Sequence, residues 1–327
     1  MPIAIEMQSY GPPDVLRAVP RPTAAPGEHE VVVRTIAAGV NRADLFIRSG
    51  EWPIGGPFPY VPGLEVCGVV ERTGAAVRDF AEGDQVITMM QRLGGVHGTR
   101  AGGYQTHVLV PADTLVRLQP GLDPLEAAGF GLAAVTAYLA IEVLGLRGER
   151  RVLVHGGSSG VGSMAIQILA AGRNEVIATG TRPEKFGFMR ECGAREVVDT
   201  RRPGWSKGLG PIDGVLDLVG RAVFAESVDA LSPGGRLVFA GGTSGGELSF
   251  SGWDLMKPVT LTGYSSETLT RDELARAMNA IAALRALGAL RVVRAHEFAL
   301  EDAAEAHRAM ESGRVEGRVL LRCRAPD

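Results

Sequence analysis

The stretch Arg151-Val152-Leu153-Val154-His155-Gly156-Gly157-Ser158-Ser159-Gly160-Val161-Gly162 decides the architecture of this chain. Val152–Val154 is a short apolar run of the kind buried in a parallel strand. Glycines follow at 156, 157, 160 and 162, and then a helical pattern runs from Ser163 to Ala171 and stops at Gly172. Strand, glycine-rich turn and helix, in that order, suit a dinucleotide. Glycine allows a tight backbone close to a pyrophosphate, and a helix N-terminus offers unpaired N–H groups and a partial positive charge. Gly157, Ser158, Ser159, Gly160, Val161 and Gly162 are therefore the candidate pyrophosphate residues. Counted from Gly157, the glycines stand first, fourth and sixth, without the usual third-position glycine. A plain tight turn is the competing reading.

Downstream, Val176–Thr179, Glu196–Asp199, Gly214–Val219, Arg236–Ala240 and Val259–Thr262 read as further strands. Helical segments start near Pro183, Ala222 and Asp254, and Leu231–Gly235 reads as a turn returning a helix to a buried strand. Strands alternating with helices predict a doubly wound parallel sheet. Upstream, Glu30–Thr35, Val66–Glu71, Gln85–Thr88 and Thr106–Val110 are short β-branched runs bounded by Gly, Pro or Asp. Dense turn chemistry there, such as Pro26-Gly27, Pro62-Gly63 and Gly83-Asp84, predicts a small twisted antiparallel barrel. Gln91–Gly103 carries five glycines and reads either as a mobile loop bordering a site or as an exposed hairpin connection. Pro124–Val143 is an Ala-rich helix and Asp272–Leu287 an amphipathic one; Glu301–Met310 and Val315–Leu321 give a terminal helix and strand that return to the first domain. The expected organisation is an α/β chain with a catalytic β-barrel domain at 1–123, completed by 295–327, and a nucleotide domain at 124–294.

Composition narrows the function classes. Hydrophobic residues at 45% and charged residues at 22% describe a soluble globular chain rather than a disordered one. A net charge of −3 with no basic stripe argues against nucleic acid. No uninterrupted apolar run reaches the roughly 18 residues of a membrane span. The N-terminus lacks a signal core, so a cytoplasmic location is expected. Cys67, Cys192 and Cys323 lie far apart and outside any Cys-x-x-Cys spacing, which argues against disulfides and a cysteine metal site.

The second phosphate of the cofactor is argued from charge. An NAD site places Asp or Glu at the tip of its second strand, about 20 residues after the first glycine, to hold the ribose 2′-hydroxyl. Here that tip is Gly180-Thr181-Arg182-Pro183-Glu184-Lys185, with no acid at the strand end. Arg182 and Lys185, with Arg201 and Arg202 after the next strand, suit a 2′-phosphate, so NADPH is the expected cofactor. The alternative is that Arg182 and Lys185 are solvated charges in a first helical turn, with Pro183 in its usual place.

Further motifs extend the reading to nearly the whole chain. They are Gly39-Val40-Asn41-Arg42-Ala43-Asp44 with Arg48-Ser49-Gly50, Pro62–Gly68, Glu82–Val86, Gly102-Gly103-Tyr104, Leu132–Tyr138, the His155–Gly162 turn and Asp217–Gly220. With these the chain resembles the medium-chain dehydrogenase/reductase superfamily, in its zinc-free quinone oxidoreductase (ζ-crystallin-like) branch. The resemblance implies a GroES-like catalytic domain and a Rossmann domain. It also implies that zinc-dependent relatives hold their metal at the positions of Asn41, Leu64 and a residue near Leu132. Leucine has no lone pair to donate and catalytic zinc needs three protein ligands, so no metal is expected.

Without a metal, the expected reaction is hydride transfer to an easily reduced acceptor, a quinone or an enone. Asn41 is a candidate donor to the acceptor oxygen; capping of a turn into Ala43–Arg48 is its other reading. Thr136 is assigned to the nicotinamide side, and Val219, Phe239 and Gly241 to the strand ends beneath the ring. Phe46, Trp52, Tyr60 and Leu132 would line an apolar acceptor pocket, although aromatics there also suit barrel core. Phe46 and Trp52 stand where the branch commonly has tyrosines, and Thr200 where a cofactor-contacting tyrosine is often found, so a phenolic proton donor is missing. His307, on an Ala-rich helix, reads as a surface group. A double-bond reductase and an NADPH-binding protein with little turnover are the alternative functions. The β-branched edge Val259–Thr262 calls for cover, and a homodimer paired edge to edge supplies it.

Overall fold

A computed structural model describes residues 1–323. The chain forms two compact units. The first comprises Met1–Leu132, Ser266–Ala282 and residues 294–323; the second comprises Ala133–Ser265 and Ala283–Val293.

The N-terminal part is mostly strand, as its β-branched runs require: β1 (Ile3–Glu6), β2 (Arg17–Pro20), β3 (Glu30–Val40), β4 (Glu65–Thr73), β5 (Gln85–Met89), β6 (His107–Pro111) and β7 (Val116–Arg117). One helix, α1 (Arg42–Ser49), interrupts them. Valines of β3, β4 and β6 meet Phe80, Leu93 and Leu115 in a core. Helix α2 (Pro124–Leu144) follows, started by Asp123 Oδ1 accepting from the N–H groups of Leu125 and Glu126. It is broken at Gly131, whose φ of 44° is open to few other residues. By length and composition α2 could cross a membrane, a test that core helices also pass; most of its apolar window is buried inside the protein.

The second unit alternates as expected: β8 (Arg151–Val154), α3 (Gly160–Ala171), β9 (Glu175–Gly180), α4 (Phe186–Glu191), β10 (Glu196–Asp199), β11 (Ile212–Asp217), α5 (Phe224–Ala230), β12 (Leu231–Phe239) and β13 (Thr260–Gly263). Its parallel sheet has the order β10-β9-β8-β11-β12-β13, buried over Leu153, Ile177, Val215 and Leu237. The remaining elements are α6 (Arg271–Ala286), β14 (Ala295–Ala299), α7 (Ala303–Glu311) and β15 (Arg318–Arg322). Strand β15 pairs antiparallel with β3 and parallel with β14, completing a seven-stranded sheet in the first unit.

Four local expectations are corrected. Residues 266–282 group with the first unit rather than with the expected 124–294 domain. The start of α6 is tied there, because Arg271 donates to the Leu115 carbonyl and lies over the Phe80 ring. No α-helix starts near Asp254; a short 3-10 turn, Gly252–Met256, stops before Pro258, which cannot continue a helix. Leu231–Gly235 is not a separate turn but the start of β12, carried by a bulge opposite Ile212 and Gly214. His307 is not a surface group. It is fully buried on the inner face of α7, with Nε2 3.1 Å from the Tyr104 hydroxyl.

A second histidine is buried beneath the glycine-rich turn. His155 lies between Thr179 Oγ1 and Ser227 Oγ, both at 2.7 Å. Ser227 donates to the Val223 carbonyl, so it accepts from His155 Nε2–H, and Nδ1 accepts from Thr179. Burial pushes the imidazole down to about 3 from its ordinary 6.5. Between those values the unfolded chain takes up a proton that the folded chain refuses. His155 therefore stabilises the fold fully above pH 6.5 and progressively less as the pH falls toward 3. The advantage of the wild type over H155Q in urea unfolding should shrink between about pH 6.5 and about pH 4.5, by up to about 1.4 kcal/mol per pH unit. A difference independent of pH would disprove a neutral, buried His155.

Candidate functional site

Parallel pairing brings the expected cofactor residues of the second unit to one end of its sheet. Val154 pairs with Ala178 and Leu216, Asp199 with Gly180, and Asp217 with Phe239. The segments that follow β8 to β12 therefore all leave the sheet at its carboxyl end. Strand order reverses between β8 and β11, the switch point at which open α/β sheets bind ligands. Here Ser159 caps α3, its Oγ accepting from Gly162 N–H at 3.0 Å. Helix α3 starts at Gly160 rather than Ser163, so Gly160, Val161 and Gly162 form its first turn. Helical geometry leaves the first N–H groups without intrahelical partners, an arrangement that fits a pyrophosphate. A Cβ on Gly162 would overlap the Gly156 carbonyl, so that glycine serves the close packing of helix on turn.

Val219 is fixed from three sides. Asp217 Oδ1 accepts from the N–H groups of Val219 (2.8 Å) and Gly220 (2.9 Å), while the Val219 carbonyl accepts from Ser244 N–H and Oγ–H, both at 2.8 Å. Burial raises the Asp217 carboxyl to about 6 against these two bonds. Phe239 and Gly241 flank the same turn from the end of β12. Thr136 belongs to this unit, buried on α2 beyond the Gly131 break.

The cations at the β9 and β10 ends are less open than their sequence suggests. Arg182 is exposed and faces Glu184 at 3.8 Å. Arg201 is exposed with a forked contact to Asp199, which holds that carboxyl down at about 2. Lys185 is 7% exposed, so it is not a solvated charge.

In the first unit, Asn41 and Leu132 converge with two residues to which the sequence reading gave no role. Glu65 Oε1 accepts from Asn41 Nδ2 (2.8 Å) and Arg318 Nη2 (2.6 Å), and Oε2 accepts from the Leu132 N–H (2.7 Å). Arg318 Nη1 donates to Asn41 Oδ1 at 3.1 Å. Glu65 and Arg318 are buried, whereas Asn41 is only partly buried. Asn41 also starts α1, its N–H donating to Asp44 Oδ2 at 2.8 Å. Both sequence readings of Asn41, side-chain donor and helix cap, are thus available to one residue.

The apolar candidates separate by exposure. Phe46 and Trp52 pack ring on ring at 5.1 Å, with Trp52 43% exposed. Tyr60 is instead buried; its hydroxyl donates to the Gly95 carbonyl and its backbone pairs with Met7, so it is barrel core. The glycine-rich 91–103 loop is tied down rather than free: Leu93 is buried, and Gly102 and Gly103 donate to the carbonyls of Val61 and Gly63. Among the described residues no three His, Cys, Asp or Glu side chains converge as a metal site.

The alcohol dehydrogenase GroES-like domain family matches residues 27–120, and the family described as zinc-binding dehydrogenase matches residues 192–321. Quinone oxidoreductase of Lama guanicoe is 32% identical over 97% of this chain and 96% of that protein. Quinone oxidoreductase of Pseudomonas aeruginosa is 33% identical over 97% of this chain and 98% of its own length. The crystal structure of Escherichia coli quinone oxidoreductase complexed with NADPH has a TM-score of 0.87 at 28% identity, covering 98% of this chain and 99% of that one. The chain belongs to the quinone oxidoreductase branch of the medium-chain dehydrogenase/reductase superfamily.

This chain is therefore an oxidoreductase of the quinone-reductase type, built from a GroES-like domain and a Rossmann-like parallel sheet. Glu65 and Arg318 escaped the sequence reading of the reductase because 253 residues separate them. One available signal was an acid in the apolar run Leu64–Gly68, where a charge needs a partner.

Proposed function

We propose that this reductase transfers a hydride from NADPH to quinones or related conjugated carbonyl acceptors without zinc. The observation that carries the reading is the carboxamide of the partly buried Asn41, held between Glu65 and Arg318. Leu64, at one of the family's ligand positions, has a side chain that cannot bind a metal. Bound NADPH supplies the hydride. An Asn41 N–H donates to the acceptor oxygen as negative charge grows there, and water supplies the proton that completes the hydroquinone. The same donor serves an enone carbonyl. Phe46 and the exposed Trp52, in contact at 50° to each other, offer apolar ring faces to such acceptors. A plain alcohol would leave an alkoxide with no metal to stabilise it.

For the cofactor, Gly157 to Gly162 would cradle the pyrophosphate, and Thr136, Val219, Phe239 and Gly241 would border the nicotinamide. Arg182, Lys185 and Arg201 would surround the 2′-phosphate. A phosphate there must draw Arg182 from Glu184 and Arg201 from Asp199; the first is an exposed charge pair whose exchange costs little. The Escherichia coli relative was crystallised in complex with NADPH, which supports the choice. A cytoplasmic homodimer completes the proposal: β13 is an edge strand, and Trp253 and Met256 beside it are 81% and 77% exposed.

Three outcomes test this reading. The protein should turn over a quinone and enone panel with NADPH, and R182A/R201A should weaken NADPH by at least about tenfold while sparing NADH; calorimetry showing equal losses for both cofactors would remove the 2′-phosphate assignment. Protein purified without chelator should contain well under one zinc per chain and keep its activity in EDTA, whereas a stoichiometric, activity-linked metal would overturn the zinc-free mechanism. Light scattering should give the mass of two chains; one chain at every concentration would remove the dimer.

A further inference from the structure

We infer that Glu65 and Arg318 are positioning residues for the Asn41 carboxamide, fixing which atom it presents to the acceptor. The inference rests on the proposed role of Asn41 as the oxygen's hydrogen-bond donor. An asparagine amide is chemically two-ended, and a rotation of about 180° exchanges its donor and acceptor ends. Here the two ends face opposite charges. Oδ1 meets the Arg318 guanidinium at 3.1 Å, and Nδ2 meets the Glu65 carboxylate at 2.8 Å. Reversing the amide would set Oδ1 against a carboxylate and NH2 against a guanidinium, so only one orientation satisfies both neighbours. Of the two Nδ2 hydrogens, one is committed to Glu65, leaving the second to donate. Arg318 also withdraws density from Oδ1, which strengthens that second N–H as a donor.

The pair itself is held so that it cannot follow the amide. Glu65 Oε2 is anchored by the Leu132 N–H, and Arg318 Nη2 reaches the Ala128 carbonyl at 3.3 Å as well as Glu65. Side chains at Gly39 and Gly131 would overlap the Glu65 carboxylate and approach the Arg318 guanidinium, so the chain leaves the pair its room. Both ions are about 3% exposed or less. The orienting charges are therefore fixed and buried, while the residue they orient is less deeply buried.

A double-mutant cycle tests this on the whole protein with NADPH and a benzoquinone, using N41A, E65Q and N41A/E65Q. Kd for NADPH and the thermal midpoint are read alongside kcat. N41A should lower kcat by about 100-fold. E65Q removes the charge and leaves one carbonyl where Glu65 meets its donors with two oxygens, so its NH2 must face either the Asn41–Arg318 side or the Leu132 N–H. It should lower kcat by at least about tenfold with NADPH affinity unchanged, and should add nothing in the N41A background. Independent, multiplying losses, or an E65Q enzyme with unchanged kcat, would overturn the positioning role while leaving Asn41 in place. An N41A enzyme with wild-type kcat would instead remove the role of Asn41 and this inference with it. Should E65Q fail to fold, R318K keeps the positive charge and loses the fork to Oδ1. A folded R318K with reduced kcat and unchanged NADPH affinity supports the inference, and one with wild-type kcat overturns it.

Discussion

Glu65 and Arg318 are the constraint on which the first unit depends. A carboxylate and a guanidinium in the interior are tolerable only together; loss of either leaves a buried charge, at a cost of about 3–5 kcal/mol. Their requirement organises what surrounds them. Strand β15 must lie beside β3 for Arg318 to arrive, and α2 must break where the Leu132 N–H turns toward Glu65. The starting residue of α1 must offer both ends of an amide. Positions that would otherwise be filled by side chains are glycine.

The second unit is organised by register rather than by charge. Parallel pairing aligns the ends of its strands, and the turns beyond them are fixed by short local bonds: Ser159 to Gly162, Asp217 to Val219 and Gly220, Ser244 to Val219. Beneath them His155 joins β8 to β9 and α5 through Thr179 and Ser227. The loops at this end are thus rigid before any ligand arrives, which lowers the ordering cost of binding.

What could be read from the residues and what could not divides along sequence distance. The β8–turn–α3 unit was legible because apolar run, glycines and helical period lie within about 20 residues. Most longer strands were legible for the same reason, whereas the short β1, β2, β7 and β14 were not read. The Tyr104–His307 contact and the Glu65–Arg318 pair were not, since 203 and 253 residues intervene and no local period marks them. For Lys185 and Tyr60 the residue type left two readings open, and burial was decided by elements elsewhere in the chain. Near Asp254 the failure was local, because Pro258 ended a helix before it could begin.

The placement of Arg318 has a consequence for synthesis on the ribosome. Every strand of the second unit's sheet has been made by the time Gly263 is joined, so that sheet can close while the chain is still growing. The first unit begins earlier and must wait longer. Until β15 emerges, β3 lacks a neighbour and Glu65 lacks its counter-ion. A ribosome stalled between residues 65 and 318 therefore carries a chain in which Glu65 has no guanidinium to pair with. The first part of the protein to be synthesised is the last able to settle.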